Sequence, residues 1–371
     1  MTTLALRVCV CAGEPSGDRH AAALLWALRQ RRPDVQIEGV GGGAMAAAGA
    51  TLLERVESLS AMGFAEPLTR LVAHASVLRQ LRGHLLEGRY DLVILVDYPG
   101  FNLQVARAAA TAGIPTLYYV APQAWAWAPR RADRLRRTVQ ALAVILPFEE
   151  AFFRSRGVPA RFVGHPLLDV PYPSRAAARA ALGLDPGSRL LALLPGSRRS
   201  EVYRLWPVLR DAARRLRVLQ PDLEIVVATV QGCEYPGSDD LLLSRTGAPV
   251  ALAAADCALC KAGTATLEAA VVDVPSVVVY RTDAWSYAVA RRVAQVPFVG
   301  LVNLLAGHAV VPELIQRDAQ VEPIVAAALP LLDPEGPAAR QQRAAYQGVR
   351  AQLGGPGAAR RTAAWALELV A

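Results

Sequence analysis

Asp97 is the acidic residue whose position most favours chemistry, because it directly follows residues 92–96, the most apolar run of the chain. Such a run predicts a buried parallel strand, and parallel sheets bind their ligands at the carboxyl ends of the strands. A carboxylate there is partly desolvated, which suits a general base. The same residue type also fits a helix N-cap or a structural turn, so the pattern alone leaves both interpretations open.

A second candidate is the A-G-E-P-S-G-D motif at residues 12–18, between the first predicted strand and the first predicted helix. Gly13 and Gly17 permit a tight turn, and the helix start offers N–H groups to a phosphate or to sugar hydroxyls. The alternative is an ordinary strand-to-helix turn with Ser16 or Asp18 as the N-cap. The motif is not G-x-G-x-x-G, so it does not indicate a dinucleotide-binding fold.

Aromatic and basic residues follow another predicted strand. Trp125 and Trp127 would either line a sugar or acyl pocket or pack a strand-to-helix corner. Three arginines come next at helical spacing and form one predicted basic ridge: Arg130, Arg134 and Arg137. We expect such a ridge to be solvated, and contact with anionic lipid or phosphate is the alternative.

Two turns in the C-terminal half favour a nucleotide. The P-G-S-R motif at 195–198 combines backbone N–H groups, a hydroxyl and Arg198, which suits a diphosphate. The G-T turn at 263–264 suits phosphates, and a glutamate one turn later suits ribose hydroxyls. Each turn alone is common, but both in one domain form a more specific signal. The predicted nucleotide contacts are Gly196, Ser197, Gly263, Thr264 and Glu268.

Short apolar runs bounded by Gly, Pro and Asp predict the strands that position these residues. In the N-terminal half they are residues 6–12, 35–40, 92–97, 116–121, 141–147 and 160–164. In the C-terminal half they are residues 189–195, 224–230, 257–261, 276–281 and 300–304. Helical patterns such as 18–31 and 103–112 lie between most of them. This alternation predicts an α/β protein whose parallel sheets are covered on both faces.

The length of 371 residues is about right for two such domains. A proline-rich stretch at 166–173 predicts a linker between domain 1–166 and domain 167–344, and we expect a helix at about 345–371 to pack back on the first domain. Two Rossmann-like domains facing a central cleft are typical of GT-B glycosyltransferases, with the acceptor on the first domain and the nucleotide-sugar on the second. Epimerases and phosphorylases share this architecture, so fold alone does not give function.

The composition indicates a globular protein, with 53% hydrophobic and 19% charged residues. No apolar run approaches the ~20 residues of a spanning helix, and the first residues predict a strand, not a signal peptide, so we expect a cytoplasmic protein. Cys257 and Cys260 form a lone C-x-x-C, which favours buried free thiols over a zinc site. The net charge of +8 comes almost entirely from arginine, since Lys261 is the single lysine. It fits a phosphate-bearing partner and a solvated surface equally well.

In this order and spacing, the motifs resemble those of the lipid-A-disaccharide synthases, glycosyltransferase family 19, over residues 8–317. Further matching motifs lie at 41–45, 62–66, 146–149, 162–166, 303–307 and 312–314. The resemblance implies an inverting transfer of 2,3-diacylglucosamine from UDP to the 6-hydroxyl of 2,3-diacylglucosamine 1-phosphate. The implied products are the β-1,6 lipid A disaccharide and UDP, and neither a metal nor another cofactor is implied.

The resemblance also implies residue roles. Asp97 matches the family's essential aspartate, the favoured general base, and Arg198 matches its essential arginine. In the nucleotide half, Glu268 matches the ribose-binding glutamate and Asn303 a motif asparagine. The implied acceptor contacts lie in the first loop and are Glu14, Ser16, Gly17 and His20.

Departures from the family pattern leave other functions open. Gly100 stands where many relatives have a second aspartate, Ala262 replaces a serine, and Val302 replaces a proline. The span at 231–256 is short where relatives have a longer helix and an extra strand. The alternatives are another UDP-sugar enzyme of the GT-B class, a 2-epimerase, or a non-catalytic homologue that binds lipid or a partner.

Acylated substrates imply work at an anionic membrane surface, peripherally on the inner face of the cytoplasmic membrane. Residues 59–86 would supply a basic amphipathic helix for it, and the alternative is a core-facing helix with solvated arginines. Its apolar residues are Met62, Phe64, Leu68, Val72, Val77, Leu78 and Leu81, with Arg70, Arg79 and Arg82 between them. The resemblance allows a homodimer, and we expect no nucleic-acid partner.

Overall fold

The computed structural model describes residues 5–55, 67–127, 129–293 and 296–371. The chain forms two compact units. The first comprises Met1–Asp169 together with Leu353–Ala371, and the second comprises Val170–Gln352.

The first unit contains a sheet of seven parallel strands among its described residues, in the order β3-β2-β1-β4-β5-β6-β7. Its strands are β1 Arg7–Ala12, β2 Gln36–Gly41, β3 Thr51–Arg55, β4 Leu92–Val96, β5 Thr116–Tyr119, β6 Ala141–Val144 and β7 Ala160–Phe162. Its helices up to residue 154 are α1 Pro15–Arg31, α2 Gly43–Ala47, α3 Pro67–Leu86, α4 Pro99–Thr111, α5 Ala124–Trp127, α6 Arg131–Thr138 and α7 Pro147–Arg154. Strand β1 pairs with β4 so that Ala12 lies beside Val96, and the two strands therefore end level at their carboxyl ends.

The side chains of β1 alternate between two hydrophobic layers, as the two-residue period of a strand requires. Cys9 and Cys11 pack in the layer that contains Leu81 of α3 and Val105 of α4. Val8 and Val10 pack in the opposite layer, with residues of α1. The sheet is thus buried on both faces, which explains why its strands are near-continuous apolar runs.

The second unit contains a sheet of six parallel strands among its described residues, in the order β10-β9-β8-β11-β12-β13. Its strands are β8 Arg189–Leu194, β9 Leu223–Ala228, β10 Leu242–Ser244, β11 Cys257–Lys261, β12 Ser276–Tyr280 and β13 Glu313–Ile315. Its helices are α8 Arg175–Leu182, α9 Arg199–Leu219, α10 Ala248–Ala254, α11 Thr264–Val271, α12 Ala284–Val293, α13 Leu301–Ala306, α14 Val321–Ala328 and α15 Pro337–Gln352. The last helix, α16 Ala358–Glu368, belongs to the first unit, where Ala363 and Trp365 share the core layer of α1.

One predicted strand is wrong. Residues 300–304 were expected to form a strand, but they lie in and before helix α13, and the strand that pairs with β12 is β13. A short apolar run such as V-N-L-L fits a buried strand and a buried helix equally well by periodicity. Strands β3, β10 and β13 were not predicted from the sequence. Strands β10 and β13 have three residues each, and β3 ends in two charged residues.

The short span at 231–256 still contains secondary structure. Strand β10 pairs with β9 at the sheet edge, and α10 follows it. Residues 231–240 are held against α9, where Trp206 Nε1 donates to the Pro236 carbonyl at 3.0 Å and Arg214 pairs with Asp240 at 2.7 Å. The expectation that this span lacks the extra strand is therefore corrected: a strand of three residues occupies it.

The membrane interpretation of residues 59–86 is not supported where the structure describes their side chains. Val77 and Leu81 are buried in the core, and Leu78 packs against it. Arg79 and Arg82 are exposed, as in a core-facing helix with solvated arginines. Residues 62 and 64 lie outside the described residues, and the side chains at 68, 70 and 72 are likewise not described. Within the described ranges, no helix is both long enough and apolar enough to cross a membrane.

Candidate active site

Asp97 lies between the carboxyl end of β4 and the start of α4. Its backbone adopts the left-handed region, with φ of 51°, and Tyr98 follows in the same region with φ of 49°. A non-glycine residue adopts this conformation at a cost of order 1–3 kcal/mol and keeps it only where other contacts hold it. The position of Asp97 is therefore set by a strained turn.

Two buried side chains hold the Asp97 carbonyl group. Asn102 Nδ2 donates to it at 2.7 Å and also reaches the carbonyl oxygens of Cys11 and Val96, each at 3.2 Å. Tyr118 Oη donates to the same Asp97 carbonyl at 2.5 Å. Burial, followed by the nearby Asp97, raises the pKa of Tyr118 well above its ordinary value, so this hydroxyl keeps its proton. Groups from β1, β4 and β5 thus meet at this one turn.

The first loop packs directly against the Asp97 turn. The Tyr98 ring fills the space beside Gly13, where a Cβ would lie 1.9 Å from Tyr98 Cδ1. A Cβ on Gly17 would lie 3.9 Å from the Asp97 Cβ. His74 Nε2 and Tyr98 Oη share a hydrogen bond of 2.7 Å. The structure therefore brings the predicted general base and part of the predicted acceptor loop together.

Within that loop, the helix begins earlier than expected. Helix α1 starts at Pro15, so Glu14 holds the N-cap position, without a side-chain cap, and neither Ser16 nor Asp18 caps this helix. Glu14 and Ser16 are partly exposed. The buried Asp18 carboxylate accepts hydrogen bonds of 2.7, 2.9 and 3.1 Å from the first N–H groups of α2, those of Gly42, Ala44 and Met45. Asp18 is therefore the cap of a different helix.

His20 lies on α1 near a second histidine. Burial, and secondarily Arg19, lowers the pKa of His20 to about 4. Burial, and secondarily His20, lowers the pKa of His165 to about 3. The His20 ring lies edge-on to that of Tyr119, with centroids 6.4 Å apart. Both imidazoles are thus neutral at neutral pH and can exchange hydrogen bonds with hydroxyl groups.

The two tryptophans have different environments. Trp125 is buried, where its Nε1 donates to Glu149 at 2.8 Å and its ring lies edge-on to Phe148 at 4.9 Å. Burial raises the pKa of Glu149 to about 7, against the effect of the Trp125 hydrogen bond. Trp127 is 48% exposed, and the Arg131 guanidinium lies 4.1 Å from its ring centroid. Trp125 therefore packs the strand-to-helix corner, and Trp127 belongs to the surface.

In the second unit, the P-G-S-R loop packs against Glu201 and is hydrogen-bonded to it. Gly196 has φ of 132°, and a Cβ there would lie 2.7 Å from the Glu201 Cβ, so only glycine fits. Glu201 Oε2 accepts hydrogen bonds from the backbone N–H groups of Ser197 at 3.1 Å and Arg198 at 3.3 Å. The Arg198 side chain is 62% exposed, with Nη1 3.7 Å from Glu201 Oε1. The loop is therefore ordered while its arginine is accessible.

Lys261 connects this loop to the G-T turn. Its Nζ lies 3.0 Å from Glu201 Oε1 and 5.9 Å from the centroid of the Tyr280 ring. Burial acts to raise the pKa of Glu201, but Lys261 and the loop N–H groups outweigh it and lower that pKa. The contact arises because Leu194 of β8 pairs with Cys260 of β11. Both loops therefore begin at the carboxyl ends of neighbouring strands. We did not predict this ion pair from the sequence, although the neighbouring strand ends were the available signal.

The G-T turn has the geometry of a helix start. Gly263 holds the N-cap position of α11 with φ of 137°, and Thr264 is exposed at the first position of the helix. Thr266 Oγ1 donates to the Gly263 carbonyl at 2.8 Å. Glu268 is partly exposed on α11, and it contributes, after burial, to the raised pKa of Tyr172.

Asn303 is buried and fully hydrogen-bonded within the second unit. Its Nδ2 donates to the Val311 carbonyl at 2.9 Å and to Glu313 Oε1 at 2.8 Å. Its Oδ1 accepts from the N–H groups of Val310 at 2.7 Å and Val311 at 2.9 Å. All four hydrogen-bonding positions of the amide are therefore used by the protein, as is typical of a residue that positions a loop.

The residue types that bind metals lie apart from one another in the part of the chain that the structure describes. Cys257 and Cys260 are buried free thiols of β11. In residues 5–55, 67–127, 129–293 and 296–371, no group of three or more His, Cys, Asp or Glu side chains is placed to hold a metal ion.

The chain matches the model of the lipid-A-disaccharide synthetase family over residues 8–368. It belongs to this family. A lipid-A-disaccharide synthase from Anaeromyxobacter sp. (strain K) is 43% identical to it over 368 residues, which cover 96% of each chain. Membership in the lipid-A-disaccharide synthetase family makes the chain a glycosyltransferase of lipid A disaccharide synthesis.

Solved structures agree on the fold. The calicheamicin glycosyltransferase CalG4 superposes with a TM-score of 0.62 at 17% identity, covering 98% of both chains. A UDP-N-acetylglucosamine 2-epimerase superposes with a TM-score of 0.58 at 12% identity, covering 93% of this chain and 91% of that one. This chain thus has the GT-B fold that its sequence predicted. Glycosyltransferases and epimerases share this fold.

Proposed function

We propose that this enzyme transfers 2,3-diacylglucosamine from UDP to the 6-hydroxyl of 2,3-diacylglucosamine 1-phosphate. The products are the β-1,6-linked disaccharide and UDP. Family membership supports the sugar-nucleotide and lipid substrates. The observation that carries the chemistry is the acid at the strained turn after β4, held by Asn102 and Tyr118 and packed against the first loop.

Asp97 is the general base of this mechanism. Its carboxylate takes the proton of the acceptor 6-hydroxyl while that oxygen attacks the anomeric carbon of the donor sugar. The bond from the anomeric carbon to the diphosphate breaks, and its electron pair leaves with UDP. Attack from the face opposite the leaving group inverts the configuration, which gives the β linkage. Holding the backbone that carries this carboxylate before substrate binds reduces the cost of reaching the transition state.

The acceptor contacts are assigned to the first loop. Gly17 allows close approach to the Asp97 side chain, and Glu14 and Ser16 are partly exposed beside it. His20, neutral at neutral pH because its pKa is low, would exchange hydrogen bonds with sugar hydroxyls and would not compete with the base for protons.

The nucleotide contacts are assigned to the two loops of the second unit. Arg198 supplies charge to the diphosphate and stabilises the leaving UDP, while Gly196, Ser197, Gly263 and Thr264 line the two turns. Glu268 accepts the ribose hydroxyls. Asn303 acts on the nucleotide through the loop it positions, because its own amide groups are already bonded.

The lipid substrates require a membrane surface, and we assign its contact to the first unit. Arg130, Arg134 and Arg137 are exposed on and before α6, and the exposed Trp127 lies at the start of the same stretch. Arginines beside an interfacial tryptophan suit anionic headgroups. A homodimer, the other expected partner, stays a prediction.

Replacing Asp97→Asn tests the base directly. The amide keeps the size and polarity of the side chain but cannot take the proton. We expect kcat to fall by ~10² to 10⁴-fold with UDP affinity nearly unchanged. Turnover would be measured as UDP release with both lipid substrates in detergent, and UDP affinity by calorimetry.

Asp91→Asn is the matched control, because Asp91 is an aspartate just before β4, at the opposite end of the strand, and pairs with Arg7 near the surface. It should retain turnover within about 2-fold, since exposed ion pairs contribute little. Near-normal turnover of the Asp97→Asn enzyme would remove the general-base role.

A further inference from the structure

Lys261, the single lysine of the chain, stands between the two turns assigned to the nucleotide diphosphate. Its ammonium lies 3.0 Å from Glu201 Oε1, and Glu201 in turn accepts the N–H groups of the P-G-S-R loop. On the other side, a Cβ placed on Gly263 would lie 3.6 Å from Lys261 Nζ. One positive charge therefore reaches both turns.

The ammonium is also able to change partners. The Lys261 side chain is 22% exposed, and it ends a buried strand on a flexible stem above the Tyr280 ring. An ammonium has three donors, so it can keep one bond to Glu201 while it forms another to a phosphate oxygen. Glu201, held by two backbone N–H groups, does not need the lysine to stay in place.

The charges around the P-G-S-R loop also favour a role for Lys261 in anion binding. Without Lys261, the negative charge of Glu201 would cancel the positive charge of Arg198, whose Nη1 lies 3.7 Å from Glu201 Oε1, at the loop assigned to the doubly charged diphosphate. With Lys261, the three groups sum to one positive charge. In a partly desolvated site such a difference has a large effect on anion binding.

We propose that Lys261 binds the diphosphate of the sugar nucleotide and that Glu201 is its resting partner. The inference rests on the proposed function, because it requires a nucleoside diphosphate at these turns. It adds a second cation, beside Arg198, that holds the donor and stabilises negative charge on the departing diphosphate.

The test compares affinities for UDP and uridine, measured by calorimetry and competition, because only UDP has the diphosphate. Lys261→Met should weaken UDP binding by about 10- to 100-fold, the effect of one charge-assisted hydrogen bond, and leave uridine affinity unchanged. Lys261→Arg should retain UDP affinity within a few-fold. Arg340→Met, which removes an exposed positive charge from α15 of the same unit, is the matched control and should bind UDP as the wild type does.

A double variant separates ligand contact from simple neutralisation of Glu201. Glu201→Gln keeps an oxygen for the loop N–H groups but removes the charge. If Lys261 contacts the diphosphate, adding Glu201→Gln to Lys261→Met leaves UDP binding weak. If the double variant regains wild-type UDP affinity, Lys261 only neutralises Glu201 and the proposal is overturned.

The wild-type chain gives an answer even where Lys261→Met fails to fold. Reductive methylation with ¹³C-formaldehyde labels one side chain, Lys261, besides the terminal amine, and preserves its charge. UDP should shift the Lys261 methyl resonance while uridine leaves it in place. UDP binding without a shift would overturn the role of Lys261 alone, whereas a wild-type enzyme that binds no UDP would overturn the proposed function.

Discussion

At the residue scale, the proposed reaction depends on how Asp97 is held. Two consecutive left-handed residues store strain, and the protein offsets it with hydrogen bonds from Asn102 and Tyr118 to one carbonyl. Such strain at the proposed general base is expected where a side chain must be placed before substrate arrives. The residues that hold the turn should therefore affect turnover as well as stability.

Replacing Asn102→Ala tests this. It removes a buried amide that reaches three carbonyl oxygens, so we expect a loss of about 2–3 kcal/mol in the free energy of unfolding. We also expect kcat to fall by about 10-fold or more as Asp97 shifts. Urea unfolding and steady-state kinetics measure the two effects. Gln104→Ala, on an exposed face of the same helix, is the control and should change neither stability nor turnover. Normal turnover of the Asn102→Ala enzyme would show that the Asp97 turn does not need the Asn102 hydrogen bonds.

Sequence reasoning placed Asp97 directly after a buried strand, because a very apolar run ends there, and its role as general base stays a prediction. It could not find the left-handed turn, since Asp and Tyr are not residues that demand positive φ. It also could not distinguish Asn303 as a ligand contact from Asn303 as a structural amide. That difference depends on Val310, Val311 and Glu313, which approach it only in the folded unit.

At the element scale, the two sheets follow from alternating apolar runs and helices, and most strands lie where those runs predicted. The failures share a cause. Strand β10 has three residues and lies at the sheet edge, and the run at 300–304 is too short for its period to separate helix from strand. In the folded protein Glu313 holds the residues just before α13 in place, because its carboxylate accepts the N–H groups of Val299 and Gly300.

In the first unit, a side chain distant in sequence likewise holds the start of a helix, and this contact gives a prediction. Asp18 of α1 accepts the first N–H groups of α2, so Asp18→Ala leaves several buried donors without a partner. We expect a loss of about 2–3 kcal/mol, more than an ordinary cap deletion, because the site is buried. Chemical denaturation measures it. Asp34→Ala, at an exposed aspartate, is the control and should leave the denaturation midpoint unchanged. An unchanged midpoint for Asp18→Ala as well would mean that α2 does not depend on this cap.

At the scale of the whole molecule, we propose that the first unit binds the acceptor, that the second unit binds the nucleotide, and that the acylated substrates bring the enzyme to a membrane. Changing both Arg134→Glu and Arg137→Glu should weaken sedimentation with anionic vesicles by about 10-fold or more, and salt should weaken the wild type similarly. Arg317→Glu with Arg340→Glu, on the second unit, is the matched control. Equal binding of all three proteins to anionic vesicles would remove α6 from the membrane contact.

The proposed reaction joins two acylated glucosamines. It is tested most directly by incubating the purified protein with UDP-2,3-diacylglucosamine and 2,3-diacylglucosamine 1-phosphate in detergent with EDTA. We expect equal amounts of UDP and of a disaccharide whose β-1,6 linkage is visible by NMR. If the protein binds UDP but releases none from this pair, the proposed reaction is contradicted, and a different donor or acceptor must be sought for the same fold.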